Sequence, residues 1–283
     1  MKWIFGLLIG LHCITAQAQS SGSSMLWEIS GNGLTKPSYV YGTFHLLCAA
    51  DYQISEKVKQ RLLNTNQLFL EVDITKPGLQ QELMMQMRFT ETSLDKALGN
   101  EFQQVDLAFQ KITGISLNLF KQFKPFVSMS MLTLQTLDCP DKIQPESLLS
   151  NLAKNAQIGI GGLETVADQV AAINTQPVDS QLNALKKMVL QFDSAKNEMK
   201  ELVRIYQLNN TDSIYAYLQK QSMSGDFEQA LITKRNKNWI PKMVAAIHQA
   251  PAFFAVGAGH LGGKEGVLAL LRVKGYHLKP LEL

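Results

Sequence analysis

The stretch that decides the fold of this chain is Phe253-Phe254-Ala255-Val256 followed by Gly257-Ala258-Gly259-His260-Leu261-Gly262-Gly263. An apolar run with two aromatic rings is typical of a buried strand, and glycines that follow directly are typical of a tight turn. The same order occurs near the start of the chain, where Tyr39-Val40-Tyr41 leads into Gly42-Thr43-Phe44-His45. Both stretches predict a strand that delivers a histidine to its carboxyl end through a Gly-x-x-His turn.

The other predicted strands lie towards the two ends of the chain. Leu26-Trp27-Glu28-Ile29 is expected to form a hairpin with Tyr39-Val40-Tyr41, because Gly31-Asn32-Gly33 supplies a turn between them. Apolar runs predict further strands at 68–73, at 158–164 and at 276–281. The segment from about 77 to 250 is otherwise helical in pattern. We therefore predict an α/β fold with a central mixed sheet built from the N- and C-terminal segments, and a large helical insertion at about 77–250.

The first 18 residues predict a signal peptide. Lys2 is followed by the uncharged, mostly apolar run Ile4 to Ile14 and by Ala16-Gln17-Ala18, a small-x-small cleavage sequence. Cleavage near Ala18/Gln19 would leave residues 19–283 as a single domain in the periplasm or outside the cell, with no transmembrane helix in the mature chain. An N-terminal anchor that stays uncleaved is the alternative.

Charge and cysteine content narrow the class of protein. The 27 Lys and Arg residues nearly balance 24 Asp and Glu, which does not support nucleic-acid binding. Cys13 would leave with the signal peptide, so Cys48 and Cys139 would remain in a compartment that permits oxidation. We predict a disulfide between them; two separate thiols are the alternative. The oligomeric state has no signature in the sequence.

The two histidine turns and one strand end predict a hydrolytic or metal-binding site. His45 and His260 follow strands directly, and Glu71 lies in the apolar strand run 68–73. Two neutral imidazoles and a carboxylate commonly hold a divalent transition metal, whose bound water can attack a carbonyl near neutral pH. The same three residues would also support metal-free hydrolysis with a histidine as general base. A third possibility is that the two histidines are unrelated and merely form hydrogen bonds at strand ends far apart.

Three more residues are secondary candidates for this site. Asp73 points to the same side as Glu71 if the strand continues, but it could equally cap a helix. Glu164 could be a ligand, a partner of a histidine or a surface residue. Arg235 could bind an anionic intermediate or lie in solvent. His248 and His277 lack the glycine turn and are predicted to be structural.

Other catalytic motifs find little support. The sequence has no Gly-x-Ser-x-Gly, no HExxH and no Walker loop. Gly257 to Gly262 matches the dinucleotide pattern GxGxxG, but the chain ends about one strand later, too soon for the rest of a nucleotide-binding unit.

Five motifs in order carry a family resemblance: Gly42-Thr43-Phe44-His45, Leu70-Glu71-Val72-Asp73, Gly162-Leu163-Glu164-Thr165, Arg235-Asn236 and Gly257-Ala258-Gly259-His260-Leu261. Together they resemble the TraB/PrgY/GumN family, which is related to the Tiki metalloproteases and more distantly to erythromycin esterases and ChaN-like haem-binding proteins. The resemblance implies a hydrolase-like site at His45, Glu71 and His260. For the Tiki branch it implies a manganese- or cobalt-type metalloprotease.

The sequence as a whole thus predicts a secreted or periplasmic metal-dependent hydrolase of peptidase type, acting on a peptide or protein. Its cofactor would be a divalent metal of the manganese, cobalt or zinc type, held by His45, Glu71 and His260. The alternative is a non-catalytic protein that uses the same cleft to bind a peptide, a metal or haem.

Overall fold

The fold is described from a computed structural model, which covers residues 23–220 and 225–283. The predicted signal peptide and its cleavage site lie outside these ranges, so they stay predictions. The strands in the described part of the chain are β1 (Leu26–Ser30), β2 (Ser38–Thr43), β3 (Leu47–Cys48), β4 (Gln67–Leu70), β5 (Lys142–Ile143), β6 (Gly159–Gly162), β7 (Ala252–Gly257) and β8 (His277–Leu281).

Helices fill most of the chain between β4 and β7. The α-helices within the described ranges are α1 (Glu56–Leu63), α2 (Leu79–Gln86), α3 (Leu94–Leu98), α4 (Phe102–Thr113), α5 (Pro125–Gln135), α6 (Pro145–Asn155), α7 (Val166–Ile173), α8 (Val178–Leu190), α9 (Phe192–Gln207), α10 (Thr211–Lys220), α11 (Gly225–Glu228), α12 (Arg235–Gln249) and α13 (Val267–Val273). A π-helical segment, Gln229–Lys234, joins α11 to α12. Short 3₁₀ turns occupy Ala49–Asp51, Gly99–Glu101, Leu117–Phe120 and Ala258–His260.

The main sheet has six strands in the order β6-β4-β7-β2-β1-β8. Neighbours among β6, β4, β7 and β2 are parallel, whereas β1 is antiparallel to both β2 and β8. This confirms the predicted α/β fold with a mixed sheet, a helical insertion and an N-terminal hairpin. Because the four parallel strands end at one edge, the residues that follow them are brought together there.

The sheet is buried on both faces, because successive side chains of β7 point alternately into two different cores. Phe253 and Ala255 face one core with residues of α1, α6 and α9, whereas Phe254 and Val256 face a second core formed mainly with α12 and α13. All six residues of β7 are buried. A central parallel strand covered on both sides explains why the Phe253–Val256 run is continuously apolar instead of alternating.

One strand of the main sheet comes from inside the segment expected to be the insertion. β6 pairs with β4 at the edge of the sheet, while the other five strands come from the two ends of the chain. A third apolar core joins α3, α4, α5 and α8 away from the sheet. The helical segment therefore combines one sheet strand with a helical layer that has its own core.

A two-stranded sheet and a disulfide follow the first histidine turn. β3 pairs with β5 in a two-stranded sheet, and Cys48 at the end of β3 forms a disulfide with Cys139, with their Cα atoms 5.9 Å apart. The predicted Cys48–Cys139 bridge is thus present. It ties the chain just after His45 to the segment that leads into α6.

In residues 23–220 and 225–283, no helix is long and apolar enough to cross a membrane.

Loss of the disulfide should leave a protein that still folds but is less stable. Replacing both Cys48 and Cys139 with serine releases a cross-link between residues 91 positions apart. It should lower the free energy of unfolding by roughly 2–4 kcal/mol in urea titrations. Denatured, unreduced chain that begins at Gln19 should show no free thiol; two free thiols there would exclude the bridge in solution.

Candidate active site

The carboxyl ends of the parallel strands bring together the side chains singled out in the sequence. His45 follows β2, Glu71 follows β4 directly, Glu164 lies just beyond β6, and His260 ends the 3₁₀ turn that begins after β7. Glu71, Glu164 and His260 are buried, whereas the side chain of His45 is 66% exposed. The cluster therefore opens to solvent on the His45 side.

Glu71 is the centre of this cluster. Its Oε1 accepts a hydrogen bond from the backbone N–H of Gly257 at 2.8 Å. The Nε2 atoms of His260 and His45 lie 3.7 and 4.0 Å from the same oxygen. One carboxylate oxygen thus faces both histidine rings and the end of β7.

Glycines permit this close approach. A Cβ atom on Gly257 would lie 3.1 Å from both Glu71 Oε1 and His45 Nε2. A Cβ on Gly42 would lie 2.9 Å from Leu261 Cδ1 and 3.2 Å from the Ala258 backbone. The two glycines therefore let the histidine turns pack against each other and against Glu71, which is why each turn begins with glycine.

His260 is held on several sides in the interior. Its Nδ1 is 2.7 Å from Asn236 Oδ1, and its Nε2 is 3.2 Å from Nη1 of Arg235. The indole ring of Trp239 lies 4.5 Å from the imidazole, centroid to centroid. Burial lowers the pKa of His260 to about 3 and outweighs the attraction of the Glu71 carboxylate, so the ring is neutral at physiological pH.

His45 has a different environment. Its Nδ1 lies 2.6 Å from Oε1 of Glu146, a carboxylate in the first turn of α6, which also accepts a 2.6 Å hydrogen bond from the Thr43 hydroxyl. The side chain is largely exposed, and the hydrogen bond and the charge of Glu146 raise the pKa of His45 above its usual value. This favours the charged form of His45, which pairs with Glu146.

Arg235 joins two carboxylates beneath the histidines. Its Nη2 lies 2.5 Å from Glu71 Oε2 and 2.6 Å from Glu164 Oε1, and Nη1 donates to the Leu231 carbonyl at 2.9 Å. Trp239 supports the pair, because its Nε1–H donates to Glu164 at 3.0 Å and the guanidinium lies over its ring. Leu231 belongs to the π-helical segment, a distortion that often occurs at functional sites.

The buried charges compensate one another. Burial alone would raise the pKa of Glu71, but neighbouring positive charge and the Gly257 hydrogen bond outweigh it and hold the pKa below its usual value. Since His260 is neutral above about pH 3, the charge that keeps Glu71 ionised at neutral pH comes from Arg235 and His45. Burial raises the pKa of Glu164, an effect that its bonds to Arg235 oppose.

The remaining candidates lie elsewhere. Asp73 is buried beyond the end of β4, where its Oδ1 accepts hydrogen bonds from the Thr75 backbone N–H at 3.0 Å and the Thr75 hydroxyl at 2.7 Å. It thus stabilises a local turn and does not cap a helix, since the N-cap of α2 is Gly78. His248 bonds to the Tyr276 hydroxyl at 2.8 Å, and His277 is exposed in β8.

Several residues that contact the cluster were not singled out as site residues from the sequence, among them Glu146, Asn236 and Gln169 besides Trp239. Glu146 follows a proline at the start of α6, so in the sequence it has the pattern of an ordinary first-turn acid. Asn236 appears in the Arg235-Asn236 motif, but nothing in the pattern connects it to His260. Gln169 in α7 reaches Glu71 Oε2 at 3.4 Å. Only the Arg-Asn pair could have been found from its motif.

The chemistry of the donor set fits a divalent transition metal. Two Nε2 atoms and a carboxylate oxygen face one another, and each Nδ1 has an oxygen partner of the kind that orients metal-binding histidines. Ligands at about 2.1 Å from an ion would lie about 3.4 Å apart in a tetrahedral site. The 3.7 and 4.0 Å separations are slightly longer, and the described residues contain no group of three His, Cys, Asp or Glu already spaced to hold an ion.

A model of a known family matches nearly all of the described chain. Residues 25–280 match the model of the TraB/PrgY/gumN family, and the chain is a member of that family.

The curated relatives include proteins named as metalloproteases. The chain is 23% identical to "Metalloprotease TIKI2" of Danio rerio over 329 aligned residues, which cover 95% of this chain and 63% of that protein. It is 23% identical to "Metalloprotease TIKI1" of Danio rerio, covering 94% and 65%, and 22% identical to "Metalloprotease TIKI1" of Homo sapiens, covering 95% and 64%. The chain therefore spans slightly less than two thirds of these relatives. No solved structure matches it.

Removal of Arg235 should destabilise the fold strongly. Arg235→Met would leave the buried carboxylates of Glu71 and Glu164 without their cation, which should cost about 3–5 kcal/mol in urea unfolding. Arg204→Met is the control, because it removes another Arg–Glu pair whose partners are exposed. It should change the unfolding free energy little. Equal effects of both variants would contradict the structural role of the Arg235 pair.

A methyl group at Gly257 should disturb the cluster without harming the sheet. Gly257→Ala places a carbon 3.1 Å from Glu71 and His45, and should lower the free energy of unfolding by about 1–3 kcal/mol in urea titrations. Gly159→Ala adds the same methyl to β6, where its nearest contact is 3.6 Å. That control should unfold as the wild type does; unchanged stability in Gly257→Ala would contradict the close packing.

Proposed function

We propose that this protein is a metal-dependent hydrolase of peptidase type, with His45, Glu71 and His260 as the residues that hold the metal. The observation that supports it most is the approach of both imidazole Nε2 atoms to one buried oxygen of Glu71. Membership of a family whose curated relatives are named metalloproteases supports the reaction class. The proposed substrate is a peptide or protein, met in the periplasm or outside the cell after removal of residues 1–18.

The cofactor in this proposal is a divalent ion of the manganese, cobalt or zinc type. When bound, it would lower the pKa of a coordinated water and polarise the carbonyl of the substrate. The other groups belong to the chain itself: Gly257 fixes one oxygen of Glu71 through its backbone N–H, and Arg235 keeps the carboxylate ionised.

The two histidines have unequal access to a substrate. His260 is buried against Trp239, so it serves as a fixed ligand. The exposed His45 lies at the mouth of the site, and Glu146 holds its ring in place. A substrate carbonyl would therefore approach from the His45 side. Glu146 would also form an ion pair with His45 whenever the ring is protonated.

A second candidate function is a non-catalytic protein that binds a peptide, a metal or haem in the same cleft. One observation favours it. Nη1 of Arg235 lies 3.2 Å from Nε2 of His260, so the guanidinium uses the lone pair that a catalytic metal would need. Stoichiometric retention of a ligand without turnover would support this function, and an absorbance band in the visible range would identify haem.

Loss of either histidine should remove both metal binding and turnover. His45→Ala and His260→Ala are expected to lose Mn²⁺ binding in calorimetry and cleavage of a peptide library in the presence of Mn²⁺, because each removes one of three ligands. His277→Ala is the control, since that histidine is exposed in β8. Full activity in His45→Ala or His260→Ala would exclude the proposal. Metal binding without cleavage in the wild type would favour the binding protein.

A further inference from the structure

Asn236 makes contacts that fix which way its amide points. The residue is fully buried in α12, and its Nδ2 donates to the backbone carbonyls of Glu265 at 2.8 Å and His260 at 3.3 Å. Both partners are acceptors only. The amide nitrogen must therefore face them, which directs Oδ1 at the His260 ring.

The direction of the amide determines the position of the proton on His260. Oδ1 of Asn236 is an acceptor, and it lies 2.7 Å from Nδ1 of His260, so Nδ1 must donate and carry the hydrogen. A second contact leads to the same answer independently. Nη1 of Arg235 lies 3.2 Å from Nε2, and a guanidinium can only donate, so Nε2 must be the nitrogen with the lone pair.

From these contacts we infer that Asn236 is a positioning residue, which holds His260 as the Nδ1–H tautomer and keeps the Nε2 lone pair on the side of Glu71. The inference deepens the proposed function, because a metal binds only a ring nitrogen that carries no hydrogen. Asn236 acts through His260, and we assign it no contact of its own with a substrate or a metal.

An amide suits this position better than a carboxylate. Glu71 and Glu164 are already two buried carboxylates that share the single cation Arg235. A third carboxylate next to His260 would add an uncompensated buried charge. The neutral amide oxygen fixes the tautomer without that cost. At the exposed His45, the carboxylate of Glu146 performs the corresponding contact with Nδ1.

The tautomer can be read without activity or metal. Long-range proton–nitrogen NMR of metal-free protein with ¹⁵N-labelled histidine distinguishes the two tautomers, and the His260 signals are those lost in His260→Ala. The wild type should show the proton on Nδ1. A proton on Nε2 in the wild type would overturn the inference, whatever the variants do.

Asn236→Leu tests whether Asn236 sets the tautomer, because the leucine side chain has a similar shape and no hydrogen-bond acceptor. In this variant Nδ1–H loses its acceptor, and only the contact of Nε2 with Arg235 still favours the original tautomer. A measurable share of His260 should therefore carry the proton on Nε2, where Glu71 Oε1 is 3.7 Å away, and Mn²⁺ affinity should fall about 10–100-fold. Gln169→Leu is the matched control for the tautomer, because it removes an amide that contacts Glu71 but not His260, and it should leave the proton on Nδ1.

The outcomes separate this inference from the proposed function. A proton that stays on Nδ1 in Asn236→Leu would show that Asn236 does not set the tautomer. A proton that moves as expected, in a protein whose wild type binds none of Mn²⁺, Co²⁺ and Zn²⁺ and cleaves no peptide with any of them, would support the positioning role and exclude the hydrolase.

Discussion

The buried carboxylate of Glu71 is the group on which the rest of the site depends. An ionised carboxylate in the interior is stable only if cations and hydrogen-bond donors surround it. Arg235 supplies the cation and Gly257 the backbone donor, and their contacts require that β4, β7 and α12 meet at one point. Glu164 and Trp239 then complete the environment of Arg235. The same contacts that neutralise Glu71 bring the two histidine turns towards it.

The site that results is asymmetric, and the asymmetry follows from the fold. His260 lies between the sheet and α12, where burial keeps its ring neutral and an amide orients it. His45 lies at the solvent edge, where a carboxylate orients it and favours its charged form. The short β3–β5 sheet and the disulfide hold the chain after His45 close to the segment that supplies Glu146. One histidine is thus rigid and enclosed, while the other is accessible and restrained from outside the main sheet.

Much of the fold could be predicted from local patterns. The apolar runs before the two Gly-x-x-His turns and before Glu71 predicted β2, β7 and β4 in the right places, because a strand buried on both faces must be continuously apolar. The pairing order could not be read from the sequence. The strand predicted at 158–164 is present as β6, but its place at the edge of the main sheet was not predicted. Asp73 illustrates a limit of the period-2 argument. β4 ends before it, so the side-chain direction expected for a continuing strand no longer applies.

The sequence by itself determined the elements and the chemical types of the candidate residues: two histidines on glycine turns, an acid at a strand end, and two cysteines available to pair. Only the tertiary structure decided which other side chains complete the cluster. Glu146 and Asn236 come from helices far along the chain, and nothing local in the sequence connects either of them to a histidine. Their contacts exist because the parallel strands end at one edge and α6 and α12 pack beside that edge. Such long-range proximity has no periodic signature, whereas a buried strand and a glycine turn each leave one.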